Sequence, residues 1–160
     1  MGCGKSSVGR CLSELLCCPF MDLDAVIEES QGRSIPDIFA VEGEAAFRQM
    51  EVEALSRIIE AQQLRGNVVV ALGGGAVMTP ECAELVRKKT HCIYLRASVD
   101  TLVSHLENEA AGRPMLQGAS LRSRIEELMA LRSSTYEATA HDVIDTDGKT
   151  VEEVAAEIKF

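Results

Sequence analysis

Apolar residues occur along the chain in two alternating patterns. Short continuous runs such as residues 68–72 have the length of a strand, whereas apolar positions three and four apart, as from Phe47 to Ile59, predict amphipathic helices. The predicted strands are residues 20–22, 68–72, 92–95 and 143–144. The predicted helices begin near Ser6, Ala25, Ser34, Gly43, Thr79, Ser98, Leu121 and Thr150.

The alternation of strands and helices predicts an α/β fold. The run of residues 68–72 is apolar at every position, which is typical of a parallel strand covered on both faces. Successive strand–helix units of this kind form a parallel sheet with helices on both sides, a three-layer sandwich. No repeat, low-complexity tract or interdomain linker interrupts the pattern, so we expect residues 1–160 to be a single domain.

Composition and charge exclude several classes of protein. The 160 residues carry 25 acidic and 16 basic side chains, a net charge of −9, which argues against nucleic acid or an anionic membrane as a partner. No apolar run approaches the roughly 18 residues of a membrane span, and no secretory signal is visible, so we expect a cytoplasmic protein. The six cysteines lack paired zinc spacing; reduced thiols are favoured over structural zinc or disulfides.

The chain opens on a candidate phosphate-binding loop, directly before the first predicted helix. Its residues are Gly2, Cys3, Gly4, Lys5, Ser6 and Ser7. Glycines let backbone N–H groups wrap around a phosphate, and the helix amino end adds partial positive charge. Lys5 would reach the β- and γ-phosphates of a nucleotide, and the Ser6 hydroxyl would bind Mg²⁺. The Gly-Lys-Ser match is short, so a chance match in a flexible terminus is the alternative.

Other candidate groups fall where predicted strands end. Asp22 and Asp24 close the first predicted strand, and in an extended segment both carboxylates lie on one face. One carboxylate could bind a metal ion and the other a substrate hydroxyl, or the pair could only cap the next helix. Three consecutive glycines, residues 73–75, follow the second predicted strand. They suit a ligand that touches the main chain, with a plain turn as the alternative.

Three arginines are candidates for anion binding. Arg48 lies three residues before Glu51 on a predicted helix, where it could grip a carboxylate in bidentate fashion or form a surface ion pair. Arg113 lies in the polar stretch of residues 107–118, whose glycine and proline suit a closing lid. Arg132 lies farther along the chain. Without their context, both of these arginines would be interpreted as ordinary solvated side chains.

Taken together, these motifs resemble the shikimate kinase family over nearly the whole chain. The resemblance rests on Gly4-Lys5-Ser6, Asp22-Leu23-Asp24, the segment 34–39, Gly43-Glu44 with Phe47-Arg48 and Glu51, the glycines 73–75, Arg113-Pro114, and Arg132 near Tyr136. It implies a five-stranded parallel sheet in the order 2-3-1-4-5. It also implies ATP-dependent phosphorylation of the 3-hydroxyl of shikimate, in the pathway to chorismate and the aromatic amino acids.

The resemblance implies a role for each matching residue at the nucleotide end. Residues 2–7 would bind the β- and γ-phosphates of ATP, with Lys5 in contact with both. Mg²⁺ would be bound by Ser6 and, through water, by Asp22. Arg113 would close from the lid onto the phosphate.

At the substrate end, the resemblance implies that Arg48 and Arg132 bind the shikimate carboxylate, in a pocket lined by Gly74 and Gly75. Asp24 would bind the reacting hydroxyl as the candidate base, so the catalytic set would be Lys5, Asp24 and Arg113. The expected partners are shikimate and ATP, and the protein is expected to act as a monomer.

Two features depart from the family pattern. The first glycine of the phosphate loop, and the central strand that would feed it, would fall before Met1; we expect roughly ten upstream residues. Leu106, beside His105, replaces an arginine that the family often places near the nucleotide base, so residues 147–149 are only a loose candidate for that contact. A related kinase such as a gluconate kinase, or a non-catalytic nucleotide-binding module, remains an alternative.

Overall fold

The computed structural model of the chain describes residues 4–109 and 119–158, in which helices and strands alternate as predicted. The helices are α1 (Lys5–Leu15), α2 (Leu23–Gln31), α3 (Ile35–Arg65), α4 (Pro80–Lys89), α5 (Val99–Glu109), α6 (Ala119–Thr139) and α7 (Val151–Glu157). The strands are β1 (Phe20–Asp22), β2 (Val69–Ala71), β3 (Ile93–Arg96) and β4 (Asp142–Asp145). A 3₁₀ turn, Ala76–Met78, lies between β2 and α4. Each predicted strand is confirmed to within one residue at either end.

The segment after β1 corrects one prediction. Asp24 was expected in an extended segment beside Asp22, but it lies in the first turn of α2. The cause is the Asp22 side chain, whose Oδ1 accepts hydrogen bonds from the backbone N–H groups of Asp24 at 3.0 Å and Ala25 at 3.3 Å. Asp22 therefore ends the strand and caps the helix at once, and the helix-capping alternative is correct for this residue.

Helix α3 joins two helices that the sequence predicted as separate. It begins where a helix start was predicted, and Ser34 caps this start by accepting a 3.3 Å hydrogen bond from the N–H of Asp37. At Gly43 the backbone leaves the helical region, with φ 85° and ψ 174°, and the helix then resumes in a new direction. The second half carries Phe47, Leu55 and other buried residues of the largest apolar cluster.

The described strands form two separate parallel sheets. In one, β1 pairs with β2 in the register Phe20 to Val69 and Asp22 to Ala71. In the other, β3 pairs with β4, and Ile93 lies opposite Asp142. The coarse prediction of an α/β fold with parallel strands is confirmed, whereas the single five-stranded sheet and its order are not.

A large apolar cavity lies between the two sheets. Its volume is about 860 Å³, and residues 68–72 and 92–95 line it from the strand sides. Apolar side chains of α1 and α3, among them Val8, Leu12 and Ile58, complete the lining. The facing edges of β2 and β3 therefore border a space that no described strand fills.

The cysteines in the described part of the chain are free thiols. They are Cys11, Cys17, Cys18, Cys82 and Cys92. Burial raises the pKa of Cys82 and of Cys92 to about 11, which keeps both protonated and unreactive at neutral pH. Residues 4–109 and 119–158 contain neither a metal-binding group of three or more His, Cys, Asp or Glu side chains nor a helix that could cross a membrane.

The geometry at Gly43 predicts a stability effect. An alanine at this position must adopt φ near 85° and ψ near 174°, a region that is essentially restricted to glycine. Nothing lies within 4 Å of its added Cβ, so the penalty is conformational rather than steric. We expect Gly43→Ala to lower the free energy of unfolding by about 1–3 kcal/mol in urea denaturation. Leu64→Ala, which truncates a 90% exposed side chain on the same helix, is the control; equal stability of the two variants would contradict the prediction.

Candidate active site

The amino end of α1 lies against the carboxyl end of β2. Gly4, the residue before the helix, has φ 77° and ψ 26°, a left-handed conformation that favours glycine. Lys5 follows, and its Nζ donates a 2.7 Å hydrogen bond to the carbonyl oxygen of Leu72. Ser6 and Ser7 continue the first turn, whose backbone N–H groups have no partner within the helix. A set of hydrogen-bond donors and a cation therefore meet at the sheet edge, as an anion site requires.

Ser6 and Asp22 bring two oxygen atoms together beside this helix end. The Ser6 hydroxyl donates a 3.3 Å hydrogen bond to Oδ2 of Asp22. Because Oδ1 of the same carboxylate caps α2, the side chain is fixed and Oδ2 stays directed at Ser6. Hydroxyl and carboxylate oxygens are the ligands that Mg²⁺ prefers, so this pair is suited to the predicted metal role.

Asp24 is half-buried next to Asp22 and the phosphate-loop lysine. Burial, and then the negative charge of Asp22, raise the pKa of the Asp24 carboxyl, while Lys5 and Arg48 oppose the rise. A carboxylate whose pKa is raised toward neutrality is a better proton acceptor than an ordinary aspartate.

Arg48 is held between two carboxylates of its own helix. Its Nη1 donates to Oε1 of Glu51 at 2.7 Å, and its Nη2 donates to Oε1 of Glu44 at 3.3 Å. The Glu51 side chain is only 1% exposed, whereas that of Glu44 is 68% exposed. Burial raises the pKa of Glu51, although Arg48 counteracts this. The alternative of a simple surface ion pair therefore describes the contact with Glu44 and not the contact with Glu51.

Residues 73–75, the glycine loop, contact side chains from three helices. The Tyr136 hydroxyl on α6 donates a hydrogen bond to the carbonyl oxygen of Gly74, and Arg132 lies one turn earlier on that helix. A Cβ added to Gly74 would lie 3.1 Å from Nη1 of Arg132, and one added to Gly75 would lie 2.5 Å from Nη2 of Arg48. Both predicted carboxylate-binding arginines therefore lie against this loop.

A pocket of about 350 Å³ is lined by six of the ten predicted site residues that the structure describes. It is lined by Lys5, Ser6, Asp22, Asp24, Gly73, Gly74 and Arg132, among others. Arg48 and Gly75 adjoin one another at the same loop. Gly2, Cys3 and Arg113 lie outside the described residues, so their predicted roles stay predictions.

Sequence reasoning missed two contacts of this site. The pairing of Glu44 with Arg48 had a signal, because the two residues are four apart on one helix. The contact between Lys5 and Leu72 had none, since the acceptor is a backbone carbonyl that any residue type offers.

Comparisons with known proteins identify a family for the chain. The family described as Shikimate kinase matches residues 1–159. The shikimate kinase of Geobacter metallireducens is 44% identical over 158 residues, which are 99% of this chain and 85% of that protein. The shikimate kinase of Symbiobacterium thermophilum is 40% identical over 159 residues, covering 99% of this chain and 89% of that protein.

Solved structures give the same result. The shikimate kinase from Acinetobacter baumannii, solved in complex with shikimate, superposes with a TM-score of 0.85 at 32% identity, covering 98% of this chain and 85% of that one. The shikimate kinase from Bacteroides thetaiotaomicron gives a TM-score of 0.84 at 29% identity, covering 98% and 90% of the two chains.

The fold and the pocket define a class, the small-molecule kinases that bind phosphate at a glycine–lysine–serine helix start beside parallel strands. The family match over residues 1–159 and identities of 40% and 44% to curated relatives are more specific: the chain belongs to the shikimate kinase family. This membership favours shikimate kinase over both alternatives that the sequence left open.

The raised pKa of Asp24 predicts a pH-dependent gain in stability for Asp24→Asn. Folding disfavours the charged carboxyl, so the folded protein binds this proton more tightly than the unfolded chain does. The ionised aspartate therefore destabilises the fold at pH 7, and the neutral, similarly shaped asparagine removes that cost. We expect a higher thermal midpoint for the variant at pH 7. The gain should shrink as the pH falls through the raised pKa toward the usual value of about 3.9.

Glu29→Gln, at an exposed position of the same helix, controls for a general loss of negative charge. The prediction is wrong if both variants gain equally, or if the gain of Asp24→Asn persists unchanged in acid.

Proposed function

We propose that the protein transfers the γ-phosphoryl group of ATP to the 3-hydroxyl of shikimate, giving shikimate 3-phosphate and ADP. The reaction belongs to the biosynthesis of chorismate and the aromatic amino acids. The observation that carries the proposal is the convergence of Arg48 and Arg132, from different helices, on the glycine loop beside Asp24. A small carboxylate that carries hydroxyl groups needs arginine at one end and a hydroxyl acceptor at the other.

The phosphates of ATP bind at the amino end of α1. Gly4, Ser6 and Ser7 supply backbone N–H groups there, and Gly2 and Cys3, which precede them in the sequence, would contribute theirs to the same phosphates. The Lys5 ammonium, now bonded to the Leu72 carbonyl, lies near enough to the pocket to transfer its hydrogen bond to the β- and γ-phosphates. Positioning and charge neutralisation of this kind supply most of the catalysis in phosphoryl transfer.

Ser6 and Asp22 are the residues that would hold Mg²⁺ together with ATP, Asp22 through water. The fit is supported by the adjacent Ser6 Oγ and Asp22 Oδ2 and by the capping bond that prevents the carboxylate from turning away. Bound together with ATP, Mg²⁺ neutralises part of the charge on the phosphates.

Shikimate binds between the glycine loop and the two arginines. Arg48 and Arg132 bind its carboxylate, and Gly74 and Gly75 form the wall of the pocket. This orientation places the ring hydroxyls toward Asp24, which lies on the side of the pocket that faces Lys5.

Asp24 accepts the proton of the 3-hydroxyl as its oxygen attacks the γ-phosphorus. A bond forms between that oxygen and phosphorus, and the bond from the γ-phosphorus to the bridging oxygen of ADP breaks. Lys5 stabilises the negative charge that is shared among the transferring oxygens, and Arg113 closes from the lid to do the same. Burial of Asp24 raises its pKa, which improves its capacity to take the proton.

We further propose that a fifth strand fills the cavity between β2 and β3. It would be strand 1 of the family order 2-3-1-4-5, in which β1, β2, β3 and β4 are strands 2, 3, 4 and 5. Three features support the proposal: the cavity is bordered by one edge of each sheet, it is apolar on several sides, and it ends beside the start of α1. A central strand there would pair with both edges and join the two sheets into one.

Arg48→Lys tests the proposed function. Lysine keeps the charge but cannot form the bidentate contact with a carboxylate, so the KM for shikimate should rise about tenfold or more. The KM for ATP should change less than twofold, since Arg48 is not among the residues that line the pocket with Lys5 and Ser6. The measurement is ADP release with and without shikimate. Arg57→Lys, at an exposed position of the same helix, is the control.

If the parent protein releases ADP no faster with shikimate than without it, the proposed function is wrong. An equal rise in both KM values would instead indicate a general disturbance of the fold and would remove Arg48 from the carboxylate site.

If a fifth strand fills the cavity, the addition of a strand upstream of Met1 should raise the stability of the protein. We expect residues 1–160 alone to unfold with low cooperativity and to turn over slowly. Adding upstream a strand of about 5–6 apolar, β-branched residues and the remaining part of the phosphate loop should raise both the unfolding midpoint and turnover. A scrambled extension with alternating polar residues is the control. Full cooperativity and normal turnover without any extension would contradict the proposal.

A further inference from the structure

The glycine loop does not need glycine for its backbone conformation. Among the glycines of the described chain, positive φ angles occur at Gly4, Gly32, Gly43, Gly66 and Gly148, and none of the loop residues is among them. Gly75, for example, has φ −100° and ψ −1°, values that any amino acid adopts. The reason for three consecutive glycines therefore lies in the space around them.

Each position of the loop faces a different side chain of the site. A Cβ on Gly73 would lie 2.8 Å from Oδ1 of Asp24, and a Cβ on Gly75 would lie 2.5 Å from Nη2 of Arg48. At Gly74 the nearest atom would be Nη1 of Arg132 at 3.1 Å. Separations below about 3.5 Å are closer than the optimal contact of non-bonded carbon atoms, so the facing side chains would have to move.

The three facing side chains differ in the interactions that they would lose if they moved. The Arg48 guanidinium can retreat only by weakening its 2.7 Å bond to Glu51, whose side chain is 1% exposed. The backbone of Asp24 is fixed by the bond from its N–H to the capping carboxylate of Asp22, so its carboxyl group can move away only by rotation about its own side-chain bonds. Arg132, which has the longest of the three separations, can accommodate an added methyl group with the smallest shift.

We infer that Gly73 and Gly75 are positioning residues. Because Gly73 has no Cβ, the Asp24 side chain can occupy its place in the site, and because Gly75 has no Cβ, the Arg48 side chain can occupy its own. This inference rests on the proposed function and deepens it, because the two glycines then govern different kinetic quantities. Gly73 acts on the proton acceptor and so on turnover. Gly75 acts on the carboxylate-binding arginine and so on shikimate affinity.

The test compares Gly73→Ala and Gly75→Ala with the parent protein. Gly75→Ala should raise the KM for shikimate about tenfold, with kcat and the KM for ATP changed less than twofold. Gly73→Ala should lower kcat by roughly 10²-fold, the cost that a misplacement near 1 Å can carry, with a smaller effect on KM. Gly32→Ala controls for lost stability alone, since Gly32 lies at the end of α2 with φ 64°.

A double-mutant cycle shows whether Gly75 acts through Arg48. If it does, Gly75→Ala should have almost no further effect on shikimate affinity in the Arg48→Ala background. Fully additive effects would show that the methyl group meets the substrate itself, and they would overturn the inference. A Gly75→Ala variant with parental kinetics would overturn it as well.

A crystal structure of Gly75→Ala separates this inference from the proposed function. The guanidinium of Arg48 should lie about 1 Å or more from its parental place, whatever the substrate. An unmoved guanidinium would refute the positioning role even in an active enzyme. A displaced guanidinium in a protein that does not phosphorylate shikimate would support the positioning and reject the function.

Discussion

The site depends on a carboxylate that lies inside the protein. Glu51 is buried on α3, and its Oε1 is satisfied by Arg48, while its Oε2 has no hydrogen-bond partner among the described residues. A buried charge without a counterion costs several kcal/mol, so removing Arg48 from this place would leave an expensive group behind. The guanidinium is therefore held by the core rather than by the surface. A binding group with this support needs little reorganisation when an anion arrives.

Strand register explains why the remaining groups meet. Asp22, the last residue of β1, lies opposite Ala71, the last residue of β2. Because the strands are parallel and end together, the start of α2 and the glycine loop leave the sheet at the same edge. Helix α1 begins at that edge too, which lets the long side chain of Lys5 reach the Leu72 carbonyl. The functional groups lie at one edge of the sheet because the segments that carry them directly follow or precede the strand ends there, as is usual in open α/β sheets.

Much of this arrangement could be predicted from the sequence because it depends on local rules. The capping residues Ser34 and Thr150 and the continuous apolar run before the glycine loop indicated their elements correctly. The start of α2 was misplaced because Asp22 suits both a strand end and a helix cap, and only the tertiary context decides that the helix begins at once.

Long-range features were harder to predict for a different reason. Arg48 has acidic residues at two helical spacings, Glu44 and Glu51, and nothing in the spacing says which one the fold buries. Similarly, periodicity shows that strands exist but not which edges pair. Only the family resemblance, in which a central strand separates the two strand pairs, pointed to a gap, and the structure shows the two sheets with the cavity between β2 and β3.

Glu44, the exposed partner of Arg48, affects how much energy Arg48 gains when it binds a carboxylate. One arm of the guanidinium already holds Glu44, a carboxylate supplied by the protein itself. Under the proposed function, an incoming carboxylate replaces Glu44 as a partner of Arg48, so one ion pair is exchanged for another. An exchange yields only the difference between two similar energies, and exposed pairs differ by little more than about 1 kcal/mol. Arg48 would then favour only those carboxylates whose contact with it is better than that of Glu44, as a bidentate contact is.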